Sequence, residues 1–373
     1  MRAFLQKIIA LFMSVLAFFG IVKSDPSRFA FSGKQGKNHV QGLAVDEKNG
    51  CIYYSFTTSL IKTDLRGRLI GSVTGLVGHL GCIAFNPADG KIYGSLEYKH
   101  DAIGQGITGA DVTDGFYIAV FDADKITRKN MSAEKDGVMT AAFLPDVLAD
   151  YEGNGRNKAG GAVPHRYGCS GIDGLCFAPL PGEPAGARCV YVAYGIYSDP
   201  AREDNDHQVL LCYAPDALKA AAKPLSQTNM HKSGPGAPAH KYFVFTGNTE
   251  YGVQNLEYDP ASRSLLMAVY QGKKPEFTNY DVFAADLSKP ARTVMLRGLD
   301  ESGEALTLLG APAPESDGIR GWYFPYGQYG VQAKRGGGFY IAEPAQIDGE
   351  EAANVYIYQF DPQTGFTRNG GKN

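Results

Sequence analysis

Apolar and polar positions in this chain alternate in short bursts, not in helical periods. Runs such as HVQGLAVD, KIYGSLEY and SLLMAVYQ send successive side chains to opposite faces, and turns rich in Gly, Asn and Asp separate them. One triplet of such strands recurs. It reads HVQGLAVD, CIYYSFTT and LIKTDLRG from His39, then HLGCIAFN, KIYGSLEY and FYIAVFDA from His79. It returns as GIDGLCFA, CVYVAYGI and QVLLCYAP from Gly171, as GVQNLEYD, SLLMAVYQ and YDVFAADL from Gly252, and as GVQAKRGG, GFYIAEPA and VYIYQFDP from Gly330. A strand-only repeat of this period predicts an all-β propeller.

Two columns of the alignment carry physical content. The middle of the second strand is small in every copy (Ser55, Ser95, Ala193, Ala268, Ala342), which suits close packing between neighbouring blades. The third strand ends in Asp64, Asp122, Asp286 and Asp361, an acceptor for the backbone N–H groups of a turn. Fourth strands are expected at LIGSV from Leu69, VMTAAF from Val138, YFVF from Tyr242 and TVML from Thr293, with none after Gly365. RFAFSG from Arg28 is a strand left over at the start, and pairing it with the last blade closes the ring without a free edge. The prediction is one domain over residues 25–373 with five four-stranded blades. The alternative is a sixth blade between Ala123 and Gly171, a segment whose Gly- and charge-rich stretch Asp150–Gly161 reads as an insertion loop. Ser226–Ala239 and Pro312–Gly321 read as loops as well.

Composition supports this picture and narrows the chemistry. The 46 Gly, 22 Tyr and 20 Phe fit many turns and pleated strands, and a net charge of −3 excludes the basic face that nucleic acid requires. Arg2 and Lys7 precede the apolar run Ile8–Val22, so residues 1–24 read as a secretory signal, or an uncleaved anchor, and predict a secreted or cell-surface protein. The six cysteines match no zinc spacing, and a Cys176–Cys189 bridge across one hairpin is the pairing an oxidising destination would permit. A monomer is expected.

In a propeller the first strands line the axis, so equivalent residues converge there. The column reads Gln41, Gly81, Asp173, Gln254 and Gln332, preceded by His39, His79, Tyr167, Tyr251 and Tyr329. The second strands deliver Glu97, Lys99, Tyr194, Tyr270 and Glu343 to the same mouth, and neighbouring loops add His165, Arg166 and Trp322. Axial amides also serve as purely structural, water-bridged groups, and each tyrosine alone reads as packing. Aromatics with amides and acids on one mouth suit a carbohydrate, whose ring faces stack while its hydroxyls bond.

Three chemistries use this inventory. A glycosidase needs two carboxylates, with Asp173, Glu97 and Glu343 as candidates. A lyase needs a base and a cation, as His79, His165, Arg166 and Tyr167 would supply. A divalent metal in the funnel would take His39 and His79, with Gln41 beside them. Asp173, His165, Arg166, Tyr167 and Glu97 are therefore the catalytic candidates. Gln41, Gln254, Gln332, Tyr251, Tyr329, Tyr194, Lys99 and Trp322 are the candidates for binding substrate. No GxSxG, HExxH or phosphate loop is present.

GLAVDEKNGCIYYS from Gly42 and GIDGLCFAP from Gly171 resemble the repeats of the NHL and gluconolactonase-like propellers. The resemblance spans most of the chain and implies the architecture. The acidic and Asn metal ligands of the gluconolactonase-like enzymes have no counterparts here, so no site residue follows from it. The expectation is a glycan-directed propeller that cleaves an oligo- or polysaccharide as a hydrolase or lyase. The rival is a non-catalytic module that binds carbohydrate or protein.

Overall fold

The computed structural model describes residues 25, 27–108 and 112–370. The expected signal segment, residues 1–24, lies outside them. The described chain is a ring of five antiparallel β-blades, and the innermost strands touch one another around the axis. From the axis outward, blade 1 runs Val40–Asp46, Cys51–Phe56, Ser59–Asp64 and Leu69–Thr74, and blade 2 runs His79–Asn86, Lys91–Tyr98, Gly115–Asp122 and Met139–Phe143. Blade 3 runs Cys169–Ala178, Cys189–Ile196, His207–Tyr213 and His240–Phe245. Blade 4 begins Thr249–Asp259, Ser264–Gln271 and Val282–Asp286, and blade 5 begins Val331–Ala333, Phe339–Ile347 and Glu350–Asp361.

The ring closes as predicted, with one addition. Ala30–Phe31 pairs with Asn354 and Val355 on the outer edge of blade 5, and Gly365–Arg368 pairs with Tyr358–Asp361 further along the same edge. The first and last described strands thus share the outermost position, and Arg368 ties them by reaching Asp25 at 2.8 Å.

TVML does not become the outer strand of blade 4. Arg292–Met295 pairs with Ser302–Ala305, which joins blade 3 in parallel beside Tyr242 and Phe243. The outer position of blade 4 is filled instead by Thr307–Leu309 and Trp322, bonded to the backbone of Ala284, Asp286 and Val282. The segment between Ala123 and Gly171 holds no sixth blade. It supplies the outer strand of blade 2, the helix Pro145–Glu152 and a small hairpin of Asn154–Arg156 with Ala162–Pro164. Pro145 at the first helical position and the buried Val147 and Tyr151 account for that helix, which strand periodicity did not reveal.

The core is five layers, one at each blade–blade contact. Blades 1 and 2 bury Tyr53, Leu80 and Phe121 together; blades 2 and 3 bury Tyr93, Phe116 and Tyr194; blades 3 and 4 bury Tyr191, Met267 and Phe283. Blades 5 and 1 bury Tyr54 with Val355, and blades 4 and 5 bury Phe324 with Ile341. Each such side chain contributes roughly 1.5–3 kcal/mol when fully buried. The small column does what its size predicts and more: Ser55 Oγ donates to Gly81 O at 2.6 Å and Ser95 Oγ donates to Asp173 O at 2.7 Å, stitching blade to blade at the axis.

Candidate functional site

Four of the five axial positions sit on irregular strand pairing. The register slips between Val40 and Gly42, Leu80 and Ile83, Ile172 and Leu175, and Val253 and Asn255, bracketing Gln41, Gly81, Asp173 and Gln254. Such slips re-aim a side chain out of the regular alternation, and here they present it to the channel. Blade 5 has no slip: Gln332 pairs regularly with Tyr340. Its amide accepts from Val45 N at 2.5 Å and donates to Val45 O at 3.0 Å, so Gln332 clamps blade 1 and does not face a substrate.

The chemistry concentrates on blades 2 and 3. His79 and Glu97 lie directly opposite in the ladder, and His79 Nδ1 donates to Glu97 Oε1 at 3.4 Å, with Asp173 Oδ1 at 3.8 Å. Glu97 is fully engaged: Oε1 also takes Lys99 Nζ at 2.7 Å, and Oε2 accepts Ile172 N at 3.0 Å. Gly171, with φ of +119°, leaves the room that Oε2 occupies. Lys99 spends its remaining reach on Ser170 O at 2.8 Å, so it is a buried counter-ion, not a ligand for substrate. Asp173 Oδ2 accepts Gln254 Nε2 at 3.1 Å.

Environment drives the two carboxyls apart. Burial pushes Asp173 up to about 7, against the pull of His79 and aided by Glu97. Burial acts on Glu97 in the same sense, but Lys99 and His79 outweigh it and hold its carboxyl below the usual range. Burial disfavours the His79 imidazolium, yet Asp173 and Glu97 together raise its pKa.

An aromatic arc borders this cluster. His39 meets Tyr329 edge-on at 6.1 Å, Tyr329 meets Tyr270 at 6.4 Å, and Tyr270 meets Tyr251 at 6.0 Å. Tyr251 is 43% exposed and is held at φ of +62°, an uncommon backbone state for an aromatic residue. Gln41 bonds His39 Nε2 at 3.1 Å and Thr57 Oγ1 at 3.2 Å. Beneath it Asn255 donates to the carbonyls of Gln41 and Gln328. The repeat column contained no signal for Asn255, because the slip at Val253 brings a neighbouring position to the axis.

The remaining candidates lie elsewhere. His165 packs at a tilt between Tyr151 and Tyr197 and donates from Nδ1 to Tyr151 O at 2.6 Å. Arg166 and Tyr167 both bind Glu301, an ion pair of 2.5 Å for Arg166, at the wall of a cleft of about 500 Å³ on the outer side of blade 3. Among the described residues no bond joins this trio to Glu97, His79 or Asp173. His165 and Tyr167 both take left-handed backbone, at φ of +68° and +57°. Tyr194 is wholly buried on Asp150, Trp322 packs edge-on against Phe360 in the outer layer, and Glu343 is bound by Tyr358. His39 bonds Gln41 and His79 bonds Glu97, and among the described residues no three His, Cys, Asp or Glu groups are placed to hold an ion.

No family model and no curated protein matches the chain, and of the NHL and gluconolactonase resemblance the structure bears out the propeller architecture. Solved structures similar to it include Sqt1 from Saccharomyces cerevisiae, at 9% identity and TM-score 0.35, covering 92% of this chain and 87% of that one. A Trichoderma reesei protein of Carbohydrate-Active Enzymes Family AA12 shows 9% identity and TM-score 0.35, over 84% and 80%. A Bacteroides caccae protein of unknown function shows 13% identity and TM-score 0.31, over 72% and 85%. Likenesses this distant say nothing about the site. Its chemistry rests on the residues themselves: one carboxyl whose titration burial raises to about 7, one fixed carboxylate, an imidazole beside both and a tyrosine rim.

Proposed function

We propose that the chain cleaves an oligo- or polysaccharide at the axial mouth, with Asp173 and His79 as the proton-handling pair. The observation that carries this reading is the opposed titration of two neighbouring carboxyls, Asp173 upward and Glu97 downward. Opposed environments assign an acid–base role to the first and a fixed charge to the second. The arc of Tyr251, Tyr270 and Tyr329 provides faces for sugar rings, and Gln41 and Gln254 provide amides for hydroxyls.

Elimination fits the site better than hydrolysis. A hydrolase of the usual kind needs a second carboxylate free to attack or to activate water. Both oxygens of Glu97 are already taken by Lys99, His79 and Ile172. Glu97 is therefore a positioning residue that fixes the His79 ring. A lyase needs one group that takes a proton beside a sugar carboxylate and a cation that steadies the resulting charge. Asp173 and His79 fill those roles. The export that Ile8–Val22 predicts would place such an enzyme among extracellular glycans.

The experiment is a panel of neutral and uronate-containing polysaccharides, read for new reducing ends and for ultraviolet absorbance of unsaturated products. Unsaturated ends from a uronate polymer, abolished by Asp173→Asn, are expected. Reducing ends without absorbance would make it a hydrolase, and glycan binding without turnover would make it a binding module.

A further inference from the structure

Three cysteines meet in one patch of blade 3. Cys176, Tyr191, Cys212 and His240 are successive partners across its four strands, from the axis outward. Cys189 stands two residues before Tyr191 and so shares its face, diagonal to Cys212 on one side and to Cys176 on the other. Of these two diagonal neighbours, it is the Cys212 thiol that acts on Cys189. Cys189 is half-buried at the end of the exposed stretch Gly182–Arg188, whereas Cys212 and Cys176 are wholly buried. A reagent in solvent therefore meets Cys189 first and Cys212 only through it.

The pair is also electronically unequal. The hydrogen bond with Cys212 pulls Cys189 down to about 7, partial burial and Glu183 oppose it, and His240 assists. The same bond, with burial, pushes Cys212 above the ordinary thiol range. The downward shift favours the Cys189 thiolate, the form that attacks sulfur.

We propose that Cys189 and Cys212 form a redox-active dithiol that exchanges with disulfides, with Cys189 attacking and Cys212 resolving. Cys189 Sγ attacks one sulfur of a disulfide RSSR, forms a mixed disulfide and releases RS⁻. Cys212 gives up its proton, its Sγ attacks Cys189 Sγ, and the second RS⁻ departs. Two thiol hydrogens leave the protein, one S–S bond forms within it, and RSSR is reduced to two RSH. The dithiol spans the two middle strands of blade 3 and does not depend on what the axial mouth does.

The test treats the purified full chain with oxidised glutathione at neutral pH, followed by alkylation and peptide mass mapping. The expected product is a Cys189–Cys212 linked peptide lacking two hydrogens. Cys212→Ser should stop as a glutathione adduct on Cys189, Cys189→Ser should lose both products, and Cys176→Ser should keep both. A Cys176–Cys189 link would overturn the proposal. So would a folded protein whose Cys189 stays unmodified under conditions where the urea-unfolded chain reacts fully.

Discussion

The carboxylate of Asp173 occupies the volume that a side chain at position 81 would fill. A Cβ on Gly81 would overlap Asp173 Oδ1 and stand 2.6 Å from Ser95 Oγ. Neither neighbour is free to yield, because Ser95 Oγ holds Asp173 O at 2.7 Å and Gln254 holds Asp173 Oδ2 at 3.1 Å. Gly81→Ala should therefore displace Asp173 and lower turnover as strongly as Asp173→Asn, by about 10²–10⁴-fold for a proton-transfer group. Its stability cost should be about 1–3 kcal/mol, the range for an overpacked site. Gly106→Ala, in open space, is the control. Activity and thermal melts of the three variants check this, and full turnover in Gly81→Ala would remove Asp173 from the chemistry.

The raised carboxyl makes stability depend on pH with a definite sign. An Asp in the unfolded chain titrates near about 4, whereas folded Asp173 keeps its proton up to about 7. Between those values the folded state binds more protons. The contribution is thus complete below about pH 4 and is lost as pH rises through about 7. His79, also raised, acts in the same sense and is coupled to Asp173. Asp173→Asn should flatten the fall of melting temperature between about pH 4 and 8 and leave the variant more stable than the parent at the alkaline end. Parallel curves for the two proteins would contradict the assignment of the proton to Asp173.

Lys99 and Glu97 form a buried pair at 2.7 Å, with side chains 6% and 4% exposed. Removing one partner of such a pair costs about 3–5 kcal/mol because the other charge is left without compensation. Lys99→Met should show that loss in urea unfolding. The double variant Lys99→Met with Glu97→Gln should regain more than half of it, since neither charge is then buried. If the double variant is no more stable than Lys99→Met, the pair is not what holds the Cys169–Ala178 strand against blade 2.

The blades were legible because each carries its own strand pattern, and Asp173 and Glu97 were legible because an acid interrupts an otherwise apolar or amide-rich column. The local slips in pairing were not. They depend on how neighbouring strands twist against each other at the axis, and nothing in HLGCIAFN distinguishes Gly81 as a space for an acid from another blade. The trio His165, Arg166 and Tyr167 was misplaced for a related reason. Its contact with Glu301, more than 130 residues away, leaves no mark on the local sequence, and Tyr151 of the helix Pro145–Glu152 holds His165. TVML follows the fourth repeat and so reads as the edge of blade 4, but its partner strand Ser302–Ala305 pairs in parallel with Tyr242 and Phe243 and carries it to blade 3.

Gln332 tests whether a slip, and not the residue type, makes an axial amide functional. It shares its residue type and column with Gln254, yet lies on regular pairing and bonds both backbone groups of Val45. Gln332→Leu leaves the buried Val45 N–H and C=O without partners, a loss of about 1–3 kcal/mol. It leaves the mouth untouched, so KM and the rate of glycan cleavage should stay within twofold of the parent. Gln254→Leu should behave in the opposite way. It takes the Gln254 Nε2 donor from Asp173 Oδ2 and removes an amide from the mouth, so turnover and its pH profile should change while the melting temperature moves little. Measuring both variants by thermal melts and by kinetics across pH separates the two roles. Equal kinetic defects in both would mean that the slips do not select the functional members of the ring.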